Sequence, residues 1–181
     1  MAIINPDTDN KTFQLATDLV NLSSSNIFLT GKAGTGKTTF LKYILQNCPK
    51  QMAVVAPTGV AAINAGGVTI HSFFQLPLSP FVPIAGSTTF SQNDNSTNRH
   101  SLISRMKVNN EKRKIWQKLD LLIIDEISMV RCDILDAIDC VLRHFRKRPN
   151  EKFGGVQVLL IGDMFQLPPV IRDAEWSFLQ E

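Results

Sequence analysis

The residues GKAGTGKT at 31–38 have the types and the spacing to hold a triphosphate. Gly31, Gly36, Lys37 and Thr38 satisfy the pattern G-x-x-x-x-G-K-[ST], in which the glycines let successive backbone N–H groups turn inward around phosphate oxygens. Lys37 then neutralises the β- and γ-phosphates, and the Thr38 hydroxyl can ligate Mg²⁺. The whole cradle runs through Gly31, Lys32, Ala33, Gly34, Thr35, Gly36, Lys37, Thr38 and Thr39. Ile27-Phe28-Leu29-Thr30 reads as the strand leading into it, and TTFLKYILQN as a helix whose N-terminal dipole favours an anion. A nucleoside triphosphate is therefore the expected ligand, with Mg²⁺ beside it.

Two further strand ends carry polar residues. LLIIDEISMV at 121–130 is a run of aliphatics ending in adjacent carboxylates, as a metal site at the carboxyl end of a buried parallel strand requires. Asp125 is expected to hold the metal through Thr38 or a water, and Glu126 to activate the attacking water, because phosphoryl transfer is mostly positioning and charge stabilisation. VLLIGDMFQLPPV at 158–170 is another buried-type strand, followed by Asp163, Gln166 and two prolines that stop any helix. Gln166 is placed to sense a γ-phosphate from the neighbouring strand end. Lys37, Glu126 and Gln166 form the expected catalytic set.

The stretch APTGVAAINAGGVTIHSFF at 56–74 has no evident catalytic logic of its own. Taken in order with GKAGTGKT, IIDEISMV and GDMFQLPPV, it resembles the petite-integration-frequency (Pif) type of superfamily-one DNA helicases, relatives of the RecD group, over roughly residues 10–175. The resemblance implies an ATP-dependent 5′-to-3′ DNA helicase acting on single-stranded DNA in replication, repair, recombination or telomere maintenance. It further implies that Pro57, Thr58, Gly59, Thr69, His71, Ser72 and Phe73 lie on the single-strand path, and that an upstream glutamine, here Gln14, recognises adenine. Such residue types suit a path of this kind, since hydroxyls and helix-start amides bond phosphates and an aromatic ring stacks on a base. None of them reads base sequence. Core packing is the alternative for Phe73 and Phe74, a structural role for His71, and a solvated helix face for Gln14.

Positioning these groups takes repeated β-α units. Strands are expected near 27–30, 52–56, 121–125 and 156–161, and helices near 38–47, 58–65, 111–118 and 133–147. That alternation gives an α/β fold, a parallel sheet with helices on both faces and ligands at the carboxyl ends of the strands, and all the chemical motifs follow strand ends. The resemblance narrows it to a RecA-like P-loop NTPase. Upstream, DNKTFQLATDLVNL carries an Asp9 or Asn10 cap candidate and Phe13, Ala16, Leu19 and Val20 at helical spacing, which predicts an amphipathic helix. From 77 to 108 the pattern fails. Pro77, Pro80 and Pro83 precede AGSTTFSQNDNSTNRHS, and a long exposed, mobile loop is expected there.

A chain of 181 residues with 44% hydrophobic and 19% charged residues fits one ordinary globular domain. No stretch approaches the length of a membrane span, and MAIINPDTDN lacks the basic start and apolar run of an export signal. Cys48, Cys132 and Cys140 show no C-x-x-C spacing, which argues for reduced thiols and against zinc. A monomer in the cytoplasm, associated with the nucleoid if the source is bacterial, is the expectation. Net charge is only +3, but 13 of the 19 Lys and Arg residues fall between Arg99 and Lys152. Lys112-Arg113-Lys114 could track phosphates. The run RHFRKR at 143–148 closes the helix that starts near Asp133, where cations complement the dipole and a solvated face is expected.

A helicase of the resembled type has two RecA-like domains with ATP between them, the second supplying further motifs that include a charge-stabilising arginine. These 181 residues carry motifs of the first domain only, so alone they are expected to bind ATP, to hydrolyse it feebly and not to unwind. Two readings of another class compete. A nucleotide-dependent DNA loader or switch ATPase would bind ATP without motor action, and a non-enzymatic interaction module would show no ATP affinity.

Overall fold

The computed structural model describes residues 10–82 and 97–171. Its strands are β1 (Ile27–Thr30), β2 (Met52–Ala56), β3 (Val68–Thr69), β4 (Phe81–Val82), β5 (Thr97–Asn98), β6 (Leu121–Ile124) and β7 (Gln157–Gly162). Five of them form one sheet in the order β1-β7-β6-β2-β3, with every pair parallel. Thr30 pairs with Gly162, Leu160 with Ile124, and Ile124 with Val55, so neighbouring strands finish within a few residues of one another. The segments after Thr30, Ala56, Ile124 and Gly162 consequently leave one edge of the sheet, the edge where a ligand is expected.

Among the described residues the α-helices are α1 (Lys11–Leu22), which precedes β1, and α2 (Lys37–Asn47), α3 (Gly59–Ala65), α4 (Ile70–Phe74), α5 (Arg99–Arg105), α6 (Asn110–Lys118) and α7 (Cys132–Arg146), which lie between strands. The aliphatic run of β6 shows why both faces need them. Successive side chains alternate across a strand. Leu122 and Ile124 join Trp116, Ile138 and Val158 beneath α4, α6 and α7, whereas Leu121 and Ile123 join Ala16, Phe40 and Ile44 beneath α1 and α2. All four β6 residues are fully buried, each stabilising the fold by about 1.5–3 kcal/mol, which anchors the carboxylates that follow.

α1 is capped by Asn10, whose Oδ1 accepts from Phe13 N at 3.0 Å; the other cap candidate, Asp9, lies outside the described residues. Phe13 meets Phe40 and Tyr43 edge-on at centroid distances of 5.2 and 5.1 Å, tying α1 to the helix that follows the phosphate loop. The two glycines of INAGGVT also acquire a reason. Gly66 ends α3 in the left-handed conformation, and a Cβ on Gly67 would stand 2.2 Å from the Val54 carbonyl oxygen, so only glycine lets the chain pass this close to β2.

The expected loop at 77–108 needs correction where it is described. β4 and β5 pair in parallel, Phe81 N donates to Asp133 Oδ2 at 3.0 Å, and Asn98 with Ser101 forms a capping box that opens α5. The polar composition concealed that cap. Residues 83–96, the centre of the expected mobile segment, lie outside the described residues.

The basic run at 143–148 is largely occupied by local partners. Arg143 binds Asp139 at 2.6 Å and the Pro149 carbonyl at 2.7 Å, and Arg148 pairs with Glu151 at 3.2 Å. Arg146 donates to the carbonyls of Trp116, Gln117, Leu119 and Gly154 at 2.7–2.9 Å, supplying the acceptors at the end of α6 with a charged donor. Arg146→Ala is therefore expected to lower unfolding stability by about 2 kcal/mol in a urea titration. An unchanged midpoint would return this arginine to the solvated surface.

Candidate nucleotide and DNA site

The phosphate loop occupies the turn between β1 and α2. Gly36 caps α2 at φ 92°, a conformation that an L side chain would strain. Lys37 Nζ donates to the carbonyls of Gly31 and Lys32 at 2.5 and 3.0 Å, and Thr35 Oγ1 to Lys32 O at 2.9 Å. The lysine thus bridges the first turn of its own loop, and phosphate oxygens would take over these bonds. Lys32, Ala33, Gly34, Thr35, Gly36, Thr38 and Thr39 are exposed, open to a ligand approaching the strand ends.

Beyond β6, Asp125 N donates to Val55 O at 2.9 Å and Glu126 N to Asp125 Oδ1 at 3.0 Å. Glu126 sits at φ 53°, ψ 48°, left-handed backbone that costs a non-glycine residue about 1–3 kcal/mol and recurs at functional sites. Burial pushes the Asp125 carboxyl above the usual carboxylate range. The Glu126 N–H opposes that rise, the Glu126 charge adds to it and Lys37 opposes it. A divalent cation would relieve this strain, and the Thr38 hydroxyl with the Asp125 carboxylate is a hard-oxygen donor set that fits Mg²⁺.

Gln166 arrives from the segment after β7. Its Nε2 donates to Asp163 Oδ2 at 3.1 Å, while Phe165 N donates to Asp163 Oδ1 at the same distance, so the buried Asp163 organises the turn. Thr38, Asp125, Glu126 and Gln166 line one cleft of about 320 Å³ together with Thr58, Ser128 and Met129. Four residues expected to share a reaction centre are therefore brought together from three separate motifs. Gln14 lies on the exposed side of α1 and lines neither this cleft nor its neighbour.

The neighbouring cleft, also about 320 Å³, is lined by Pro57, Thr58, Ile70, His71, Arg131 and Val170 among others. Thr58 and Met129 belong to both clefts. Thr58 Oγ1 caps α3 by accepting from Ala61 N at 3.2 Å, and Thr69 Oγ1 caps α4 by accepting from Ser72 N at 3.3 Å, so each hydroxyl already has a structural task. Gly59 and Ser72 are exposed. Phe73 follows the core-packing alternative: it is only 8% exposed, meets Phe74 edge-on at 4.9 Å and lies under Lys112 Nζ at 5.2 Å. Its role here is packing.

His71 is half-buried, and burial lowers its pKa, with Arg131 lowering it further and Asp133 opposing. That shift favours the neutral imidazole, which keeps one N–H donor and one acceptor nitrogen. Arg131 grips the buried Asp133 through two bonds of 2.9 and 2.8 Å. Sequence reasoning passed over Arg131, Met129 and Ser128, because their neighbours carry the motif and only the fold shows which cleft each reaches. It also passed over Phe165, which is 98% exposed beside Gln166; an aromatic in a motif flanked by prolines was the available signal.

A parallel sheet covered on both faces, with a phosphate loop, an Asp-Glu pair and a glutamine at adjoining strand ends, defines a RecA-like P-loop nucleotide-binding domain. The PIF1-like helicase family matches residues 5–178, and the chain belongs to that family. It is 38% identical over 155 residues to the ATP-dependent DNA helicase PIF1 of Candida albicans, covering 83% of this chain and 15% of that protein. It is 37% identical over 155 residues to the ATP-dependent DNA helicase PIF1 of Homo sapiens, covering 85% and 21%. A crystal structure of Pif1 helicase from Bacteroides in complex with ADP-AlF3 and ssDNA superposes with a TM-score of 0.78 at 44% identity, over 99% of this chain and 36% of that one. The chain thus spans a minor part of the relatives it matches. Among the described residues no helix is long and apolar enough to cross a membrane.

Proposed function

We propose that these residues form the ATP-binding motor domain of an ATP-dependent 5′-to-3′ DNA helicase that moves on single-stranded DNA. The observation that carries this reading is the pair of adjoining clefts sharing Thr58 and Met129, one lined by Thr38, Asp125, Glu126 and Gln166, the other by His71. Movement of the shared wall on hydrolysis would reach the strand directly. The DNA-binding role is supported by the relative solved with ssDNA and a nucleotide analogue.

In the proposed reaction Glu126 takes a proton from water as the water oxygen bonds to the γ-phosphorus and the bond to the β–γ bridging oxygen breaks, releasing ADP and phosphate. Lys37 and Gln166 bond the γ-phosphate oxygens. Mg²⁺ held by Thr38 and Asp125 would supply charge neutralisation for the phosphates. Adenine recognition by Gln14 remains part of the proposal, supported by the tie between α1 and α2 through Phe13. We place the working protein, as a monomer, in the cytoplasm, associated with the nucleoid if the source is bacterial; the three free thiols suit that reducing compartment.

His71→Ala in the full-length protein tests the coupling. It is expected to weaken oligothymidine binding about tenfold, the loss of one or two hydrogen bonds, and to lower DNA-stimulated ATP turnover in parallel while DNA-free nucleotide affinity stays intact. Affinity should fall with salt and vary little with base sequence, since the contacts are to phosphate and sugar. Normal affinity across a salt titration, read by fluorescence anisotropy, would make His71 a structural histidine.

A further inference from the structure

The basic run Lys112-Arg113-Lys114 does not act as one patch. Arg113 turns toward α7, its guanidinium 5.6 Å from the centre of the Phe145 ring. Lys112 reaches α4 instead: its Nζ donates to the Ser72 carbonyl at 3.3 Å and stands 5.2 Å from the centre of the Phe73 ring. Both ends of this lysine are held. Its backbone N–H donates to Asn109 Oδ1 at 2.8 Å in the cap of α6, and the ring under its ammonium is buried against Phe74. The head nevertheless stays at the surface, where Ser72 is exposed.

Neither partner cancels the charge. A carbonyl is neutral, 3.3 Å is long against the usual range of about 2.7–3.2 Å, and a ring face offers only its quadrupole. Among the described residues no carboxylate pairs with Lys112, whereas Arg131, Arg143 and Arg148 have Asp133, Asp139 and Glu151. An ammonium carries three donors, so some remain for a ligand. More positive charge gathers at the same end of α4, since Gln75, its C-cap, borders a groove with the exposed Arg105 and Lys107.

We propose that Lys112 Nζ bonds a backbone phosphate of the single strand beside Ser72, so that the DNA path runs from the cleft of Thr58 and His71 along α4 to the start of α6. Phe73 then serves the path without stacking on a base, by holding this cation in place. The inference rests on the single-strand reading of that cleft and adds a full positive charge to it.

Oligothymidine binding by the full-length protein, read by fluorescence anisotropy across a salt titration, tests it in wild type, Lys112→Met and Lys112→Arg, with thermal unfolding of each. Methionine keeps an unbranched apolar stem over Phe73 and removes the charge, so the unfolding temperature should stay at the wild-type value. Each cation that neutralises a single-strand phosphate contributes about 0.7 to the slope of log affinity against log salt. Lys112→Met should make that slope shallower by about 0.7, which lowers affinity about eightfold at about 50 mM salt and about threefold at about 200 mM, the curves meeting near about 1 M. Lys112→Arg should keep the wild-type slope. A wild-type slope in Lys112→Met, whether affinity is unchanged or lower by one factor at every salt, overturns the phosphate contact. A fall in its unfolding temperature or a failure to fold places Lys112 in the scaffold and overturns it too, as does a slope in Lys112→Arg as shallow as that of Lys112→Met. Wild-type protein that does not bind oligothymidine, or binds it without regard to salt, removes the single-strand reading itself and the Lys112 proposal with it.

Discussion

Lys37→Ala is expected to abolish measurable ATP and ADP binding. The lysine is the loop's own cation, and its Nζ lies against the Gly31 and Lys32 carbonyls at 2.5 and 3.0 Å, close to the place where phosphates would enter. Alanine removes the charge and its donors while leaving the glycine turn intact, since Gly36 and not Lys37 carries the left-handed backbone. Hydrogen bonds to charged groups are worth about 1.5–3 kcal/mol each, so losing two weakens binding by 10²-fold or more. Calorimetric titration with Mg²⁺ and each nucleotide measures this. Equal affinity in wild type and variant would show that residues 31–38 are a glycine-rich turn and no more.

Glu126→Gln is expected to leave ATP binding near wild type and to lower turnover by about 10²–10⁴-fold, because an amide of the same shape cannot take the proton from water. Geometry favours a specific loss over a structural one. Glu126 holds its turn through its backbone, the N–H donating to Asp125 Oδ1 and the carbonyl accepting from Met129 N, and the residue lines the cleft shared with Thr38 and Gln166. A steady-state assay with saturating DNA separates kcat from KM. Unchanged turnover would assign Glu126 to the turn that follows β6.

The core and the cleft at the strand ends were legible in the sequence for related reasons. The central strands β6 and β7, buried on both faces, are short aliphatic runs, so LLII and VLLIG announced the sheet and put Asp125, Glu126 and Gln166 beyond its carboxyl edge, whereas β1 is an edge strand with Phe28 and Thr30 exposed, legible only through the phosphate loop that follows it. The DNA side was less legible, because a hydroxyl or an aromatic has the same signature in a cap or a core as in a groove. Thr58 and Thr69 act as caps, and Phe73 is buried against Phe74. The β4–β5 pair escaped notice because two-residue strands leave no periodicity, and Arg146 because three of its four acceptors, Trp116, Gln117 and Leu119, lie 27–30 residues away at the end of α6.

If hydrolysis at one cleft is coupled to single-stranded DNA in the other, ATP turnover of the full-length protein must respond as oligothymidine is titrated in. Measured alongside Glu126→Gln and His71→Ala, turnover is expected to rise and saturate with DNA in the wild type, to collapse in Glu126→Gln at every DNA concentration, and in His71→Ala to need about tenfold more DNA to reach half of its maximum. Turnover that ignores DNA in the wild type, or that Glu126→Gln leaves unchanged, would contradict that coupling.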